Sequence, residues 1–174
     1  AHVPKLEEMG CRVLALEMDN KGLSPTRDAA LLLRLRRAFR RERPDVVLSY
    51  TIKNNLYSAL AARGLGVPVL PNVTGLGTAF LHGGWLTRIA SLLYRSAFAK
   101  VPVVFFQNRD DSALFVSRGL VDAGKIRHLP GSGLDVAAFA PVPMPRQTGQ
   151  VTFLMVARLL RDKGVEEFVA AART

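Results

Sequence analysis

The residues best placed to do chemistry lie near the end of the chain. In Val156-Ala-Arg-Leu-Leu-Arg-Asp-Lys-Gly164, Arg158 directly follows an apolar run, and Lys163-Gly164 precedes a stretch with helical spacing. Two cations at a strand end, beside the free amides of a helix start, suit a diphosphate group. The same pair would also serve as an ordinary solvated turn. Three further stretches offer backbone N–H groups and hydroxyls rather than charge: residues 51–55 (with Thr51, Lys53 and Asn54), 71–78 (with Thr74, Gly75 and Gly77) and 131–135 (Gly131, Ser132, Gly133, Asp135). Each of the four follows an apolar run, and ligands of open α/β sheets gather at the carboxyl ends of the strands.

Other reactive groups are sparse. His2, His82 and His128 lack metal-ligand spacing, so no metal site is expected. No two carboxylates are spaced for double displacement. Asp110 and Asp111 suit the first turn of a helix capped by Asn108. Asp135 reads either as an Asx turn or as a cleft residue. The one cysteine, Cys11, excludes an internal disulfide and points to a reducing compartment.

The elements that must position these residues alternate short apolar runs with helical stretches, the mark of an α/β fold with a parallel sheet. A helix tail ends at Gly10, and residues 11–18 read as a strand. Ser24-Pro25 opens a helix with Leu31, Leu32, Leu35 and Phe39 as its buried stripe; Pro44 stops it. Residues 45–50 read as a buried strand, 51–55 as a polar turn, and the helix after it runs to about Arg63. Residues 67–70, 102–107 and 126–129 read as strands, and 86–100 and 108–118 as helices. Pro141, Pro143 and Pro145 with Gln147, Thr148 and Gly149 form a linker. The expected division is a Rossmann-like domain over 1–141, a linker over 142–150, and the opening of a second domain over 151–174, with a strand at 151–156 and a helix from Val165.

The chain has 174 residues, 49% hydrophobic and 22% charged, which is a globular composition. Lys+Arg is 24 against Asp+Glu 14, a net charge of +10. That excess favours nucleic acid, acidic lipid or phosphorylated substrates as partners. No run reaches the roughly 18 uncharged apolar residues of a membrane span. The most apolar region, 85–106, is broken by Arg88, Arg95 and Lys100.

Val104-Phe-Phe-Gln-Asn-Arg-Asp-Asp111, then Pro130-Gly-Ser-Gly-Leu-Asp135, then Val156-Ala-Arg-Leu-Leu-Arg-Asp-Lys-Gly164 resemble, in that order, retaining glycosyltransferases of the GT-B fold. They are most similar to family-four bacterial enzymes that build lipopolysaccharide, capsule and exopolysaccharide. Tyr50-Thr-Ile-Lys-Asn-Asn-Leu-Tyr57 and Asn72-Val-Thr-Gly-Leu-Gly77 look like the branch that adds hexoses or N-acetylhexosamines to polyprenyl-linked glycans. The resemblance implies that Arg158 and Lys163 hold the donor diphosphate. It implies that Gly131, Ser132 and Gly133 form the hinge-side loop, and that residues 74–77 lie under the transferred sugar. Many relatives carry His where this chain has Thr74. The resemblance also implies an internal piece of a two-domain protein, inactive alone, using a UDP-sugar and no cofactor, at the cytoplasmic face of a membrane.

Two candidate partners follow. An anionic membrane surface would meet Arg34, Arg37, Arg41, Arg88 and Arg95, and a second copy would complete a sheet lacking its first strand. Two other classes stay open. A nucleotide-sugar 2-epimerase on the same fold needs carboxylates and histidines in the cleft. A basic nucleic-acid-binding module needs exposed aromatics among its cations. Nucleic acid is not expected, because most Phe and Tyr residues fall in strands or on buried helix faces.

Overall fold

The computed structural model describes residues 2–19, 24–75, 84–131, 133–143, 149 and 151–173. Packing divides the chain into two units, Ala1–Gly133 and Leu134–Thr174.

The first unit is built on one parallel sheet: β1 (Val47–Tyr50), β2 (Val69–Val73), β3 (Val104–Phe106) and β4 (Ile126–His128), side by side in chain order. Around it lie α1 (Val3–Glu8), α2 (Pro25–Glu42), α3 (Ile52–Ala61), α4 (Gly84–Phe98) and α5 (Arg109–Ser117). This is the Rossmann-like α/β arrangement expected, and all four strands end at one edge.

Side-chain alternation separates the two sheet faces. Val69, Val73, Val104 and Phe106 are buried and join Leu56 and Ala59 of α3, Tyr94, Ala97 and Phe98 of α4, and Phe115 of α5 in one core. Phe115 meets Tyr94 and Phe106 edge-on, with ring centroids 4.9 and 5.2 Å apart, a favoured aromatic geometry. The opposite face carries Leu48 and Tyr50, 59% and 50% exposed, beside half-buried Leu70 and Phe105. Residues 45–50 therefore do not form the fully buried strand expected. β1 is an edge strand, and among the described residues only its β2 side is paired.

Three other sequence readings are corrected. Residues 11–18 form no strand. They run exposed along α2, through ion pairs of Arg12 with Glu42, Arg34 with Glu17 (3.0 Å) and Arg27 with Asp19 (3.0 Å). An apolar run becomes a strand only where an edge accepts its backbone groups. Residues 51–55 are not a turn: α3 starts at Ile52, and only Thr51 makes the corner. β2 continues through Pro71 to Val73. Proline is accommodated there because pairing with β3 begins at Asn72.

Many cations of the basic excess finish helices. The last carbonyls of a helix lack internal partners. Arg36 donates to the Ala61 and Arg63 carbonyls (2.9 and 2.7 Å) at the end of α3. Lys125 donates to Phe98 and Ala99 (3.3 and 2.9 Å) after α4, and Arg63 donates to the Ser96 carbonyl. Arg95 donates to Gly119 and Arg118 (3.0 and 3.1 Å) after α5.

The second unit is open. Residues 151–156 form no strand, and Val151, Phe153, Leu154 and Val156 are 65 to 87% exposed. Among the described residues of the unit, none pairs with this run. A short 3-10 turn (Arg161–Lys163) leads through Gly164, at φ 73°, into α6 (Val165–Ala171). The expected helix is present; the expected strand is not.

Candidate functional site

The carboxyl edge of the sheet brings several anticipated residues together. Thr51 follows β1, Thr74 and Gly75 follow β2, and the neighbouring strands pair Tyr50 with Asn72. Gly131 and Gly133 follow β4 at the same edge, at φ 83° and 75°, a conformation glycine adopts without strain. Gly77, Ser132 and His82 lie outside the described residues. Thr51 and Thr74 are exposed.

Thr51 has φ 72° and ψ 157°. This region of backbone space belongs almost wholly to glycine, and a β-branched residue there is strained. No side chain caps α3, so the strained corner presents its first-turn amides at the edge.

Lys53 and Asn54 belong to the first turn of α3 rather than to a loop. Asn54 is half-buried. The Lys53 ammonium lies 2.7 Å from the Asp28 carboxylate of α2, with both side chains about 15% exposed or less. Its charge ties the two helices together. Tyr57, one turn further along α3, also hydrogen-bonds Asp28. Burial first, then the Asp28 charge and hydrogen bond, push the Tyr57 hydroxyl from 10.0 up to about 12. Burial also raises the Tyr94 hydroxyl.

Beneath the edge lies a group of buried polar side chains that sequence reasoning passed over. Asn55 Nδ2 donates to the Asn72 carbonyl oxygen (2.8 Å). Ser49 Oγ, Asn55 Oδ1 and Asn72 Oδ1 are buried without a hydrogen-bond partner. Native structures hold few such atoms, and each calls for an explanation. Lys53 and Tyr57 were legible as an i, i+4 pair once α3 starts at Ile52. Asn55 carried no comparable signal.

Asn108 caps α5 as expected, its Oδ1 accepting from the Asp111 N–H (2.7 Å). The His128 Nε2 lies 3.0 Å from Ser112 Oγ, and that hydroxyl donates to the Arg109 carbonyl (2.8 Å). The imidazole N–H is then the donor in a structural contact between β4 and α5. Of the proposed cationic surface, Arg95 is committed to the end of α5, Arg34 pairs with Glu17 and Arg41 with Glu42 (2.6 Å). Arg37 and Arg88 are exposed.

In the second unit, Asp135 Oδ1 accepts from the Ala137 N–H (3.0 Å), the Asx turn. Arg158 and Lys163 are exposed. Arg158 stands in an irregular stretch; Lys163 ends the 3-10 turn. Among the described residues no group of His, Cys, Asp or Glu could hold a metal ion. No described helix is long and apolar enough to cross a membrane.

A parallel α/β domain with hydroxyl- and glycine-bearing loops at one carboxyl edge is a Rossmann-like framework, and ligands of such sheets gather at that edge. Residues 1–132 match the glycosyl transferase 4-like domain, and the chain belongs to that family. It is similar to the N,N'-diacetylbacillosaminyl-diphospho-undecaprenol alpha-1,3-N-acetylgalactosaminyltransferase of Campylobacter jejuni. The two are 24% identical over 187 aligned residues, which cover 98% of this chain and 50% of that protein. The chain thus spans about half the length of the curated relative it matches.

Proposed function

We propose that this chain is the acceptor-side half of an enzyme moving a hexose or N-acetylhexosamine, with retention, from a nucleotide-diphosphate sugar to a polyprenyl-linked acceptor. The donor in this reading is a UDP-sugar. The observation that carries it is the family match over residues 1–132, joined to a sheet whose carboxyl edge collects Thr51, Thr74, Gly75, Gly131 and Gly133. The named relative acts on a diphospho-undecaprenol-linked sugar, which supports a lipid-linked acceptor here.

Arg158 and Lys163 would bind the donor diphosphate and offset the charge that develops on the leaving group. Their exposure fits that role. In this reading, which follows the family resemblance, no resident cofactor takes part and the departing diphosphate itself takes the acceptor proton. Work at the cytoplasmic face of a membrane fits α4, where exposed Arg88 stands with Ile89 and Leu92, 46% and 63% exposed. Cations near an anionic bilayer contribute on the order of 1 kcal/mol each.

Calorimetric binding of UDP-sugar to the intact protein tests the reading. Changing both Arg158 and Lys163 to Ala should weaken donor binding at least tenfold, the loss of roughly one charge-assisted contact. Binding equal to wild type would sink it.

A further inference from the structure

Asn55 joins the two chain segments that bring Thr51 and Thr74 to the carboxyl edge. It is 1% exposed and sits in the first turn of α3. Its backbone N–H donates to the Thr51 carbonyl (2.9 Å), and its side-chain Nδ2 donates to the Asn72 carbonyl of β2 (2.8 Å). One residue therefore grips the corner that carries Thr51 and also the strand end two residues before Thr74.

For folding alone this is a poor residue. A buried amide oxygen without a partner, as Asn55 Oδ1 is, costs more than an apolar atom of the same shape. What an amide supplies here is a fixed distance. Thr51 is held in a glycine-type conformation, and such a backbone persists only where its surroundings over-determine it. Beside the packing of Leu56 and Ala59 in the core, the Asn55 bond to β2 is the side-chain hydrogen bond that ties the start of α3 to the end of that strand.

We infer that Asn55 is a positioning residue. Its carboxamide sets the separation between Thr51 and Thr74, and thereby aligns the acceptor against the transferred sugar at the carboxyl edge. The inference rests on the glycosyltransferase reading above.

The test is Asn55→Asp in the intact protein. The replacement has the shape of asparagine but, when ionised, sets a carboxylate against the Asn72 carbonyl. When protonated, its O–H donates there again, so acid restores the lost bond. The probes are a short-chain prenyl diphosphate carrying one N-acetylhexosamine as acceptor, a UDP-N-acetylhexosamine as the sugar donor that leaves UDP on transfer, and UDP alone for donor-side affinity. At neutral pH the variant should lose about tenfold or more in acceptor kcat/KM, the worth of one buried hydrogen bond and its stranded partner. Its Kd for UDP should stay within about twofold of wild type, since Arg158 and Lys163 are untouched. As the pH falls, its activity relative to wild type should rise.

Wild-type transfer at neutral pH would overturn the inference and leave the function standing. So would a parallel loss of UDP affinity, or no relative recovery in acid. Wild-type protein that never glycosylates the probe would overturn both readings. Should Asn55→Asp not fold, Asn55→Ala serves, with the same split between acceptor kcat/KM and UDP affinity expected. Failure of both to unfold cooperatively would also overturn it, because the bond would then hold the whole domain rather than one corner.

Discussion

Two pairs of apolar runs in this chain look alike in sequence and behave differently. Val104-Phe-Phe106 and the Val69–Val73 run are strands, buried and paired. Residues 11–18 and 151–156 are also largely apolar, yet both run mostly exposed and join no strand. Composition does not separate them. The first two have strands on both sides and helices over one face, whereas the second two meet no such edge within their units. A strand is a relation between segments, because backbone N–H and C=O groups need partners outside their own run.

Substitutions can break that contrast or sharpen it. The largest effect is expected at the aromatic centre of the paired sheet. Phe115→Ala should destabilise the first unit by about 3–5 kcal/mol in urea unfolding, as large buried truncations do. A loss under about 1 kcal/mol would show that the packed face is not what distinguishes the strands.

Next is the α2–α3 tie that holds β1 against its helix layer. Asp28→Asn should cost about 1.5–3 kcal/mol, the range of a hydrogen bond to a charged group. It should also move the Tyr57 titration down from about 12 toward 10.0, read by tyrosinate absorbance. The folded pKa is raised, so the stability linked to Tyr57 is complete below pH 10 and is lost as pH rises through 12. In the variant that alkaline loss should shrink.

Thr51→Gly probes the corner between β1 and α3. Glycine takes φ 72° without strain, so unfolding stability should rise by about 1 kcal/mol. A fall would mean the threonine side chain holds the corner. Asn108→Ala should cost about 1 kcal/mol by removing the cap on α5. The smallest effect belongs to the unpaired run: Phe153→Ala, at a residue 79% exposed, should change stability by under about 0.5 kcal/mol. A larger loss would show that the run packs in solution.

The candidate site was legible to the same uneven degree. Thr51, Thr74, Gly131 and Gly133 follow apolar runs, and the parallel sheet puts all of them at one edge. Lys53 was legible as a cation but not as one already paired with Asp28, because that partner is 25 positions away in sequence. Asn55 was invisible: an asparagine after Lys-Asn looks like turn chemistry, and only the start of α3 at Ile52 makes it a buried tie. The +10 charge suggested a polyanion, but Arg36, Arg95 and Lys125 spend their donors on helix carbonyls.

By itself the sequence determined the local features: the capped start of α5, the glycines at positive φ, the helical periods and the alternation that makes a parallel α/β fold. These depend on residues a few positions apart, where propensity and capping act. Only the tertiary structure decided which apolar runs become strands, which cations remain free, and which amide holds the edge. Those outcomes depend on partners tens of residues away, and a backbone group or charge is satisfied by whatever the fold brings beside it.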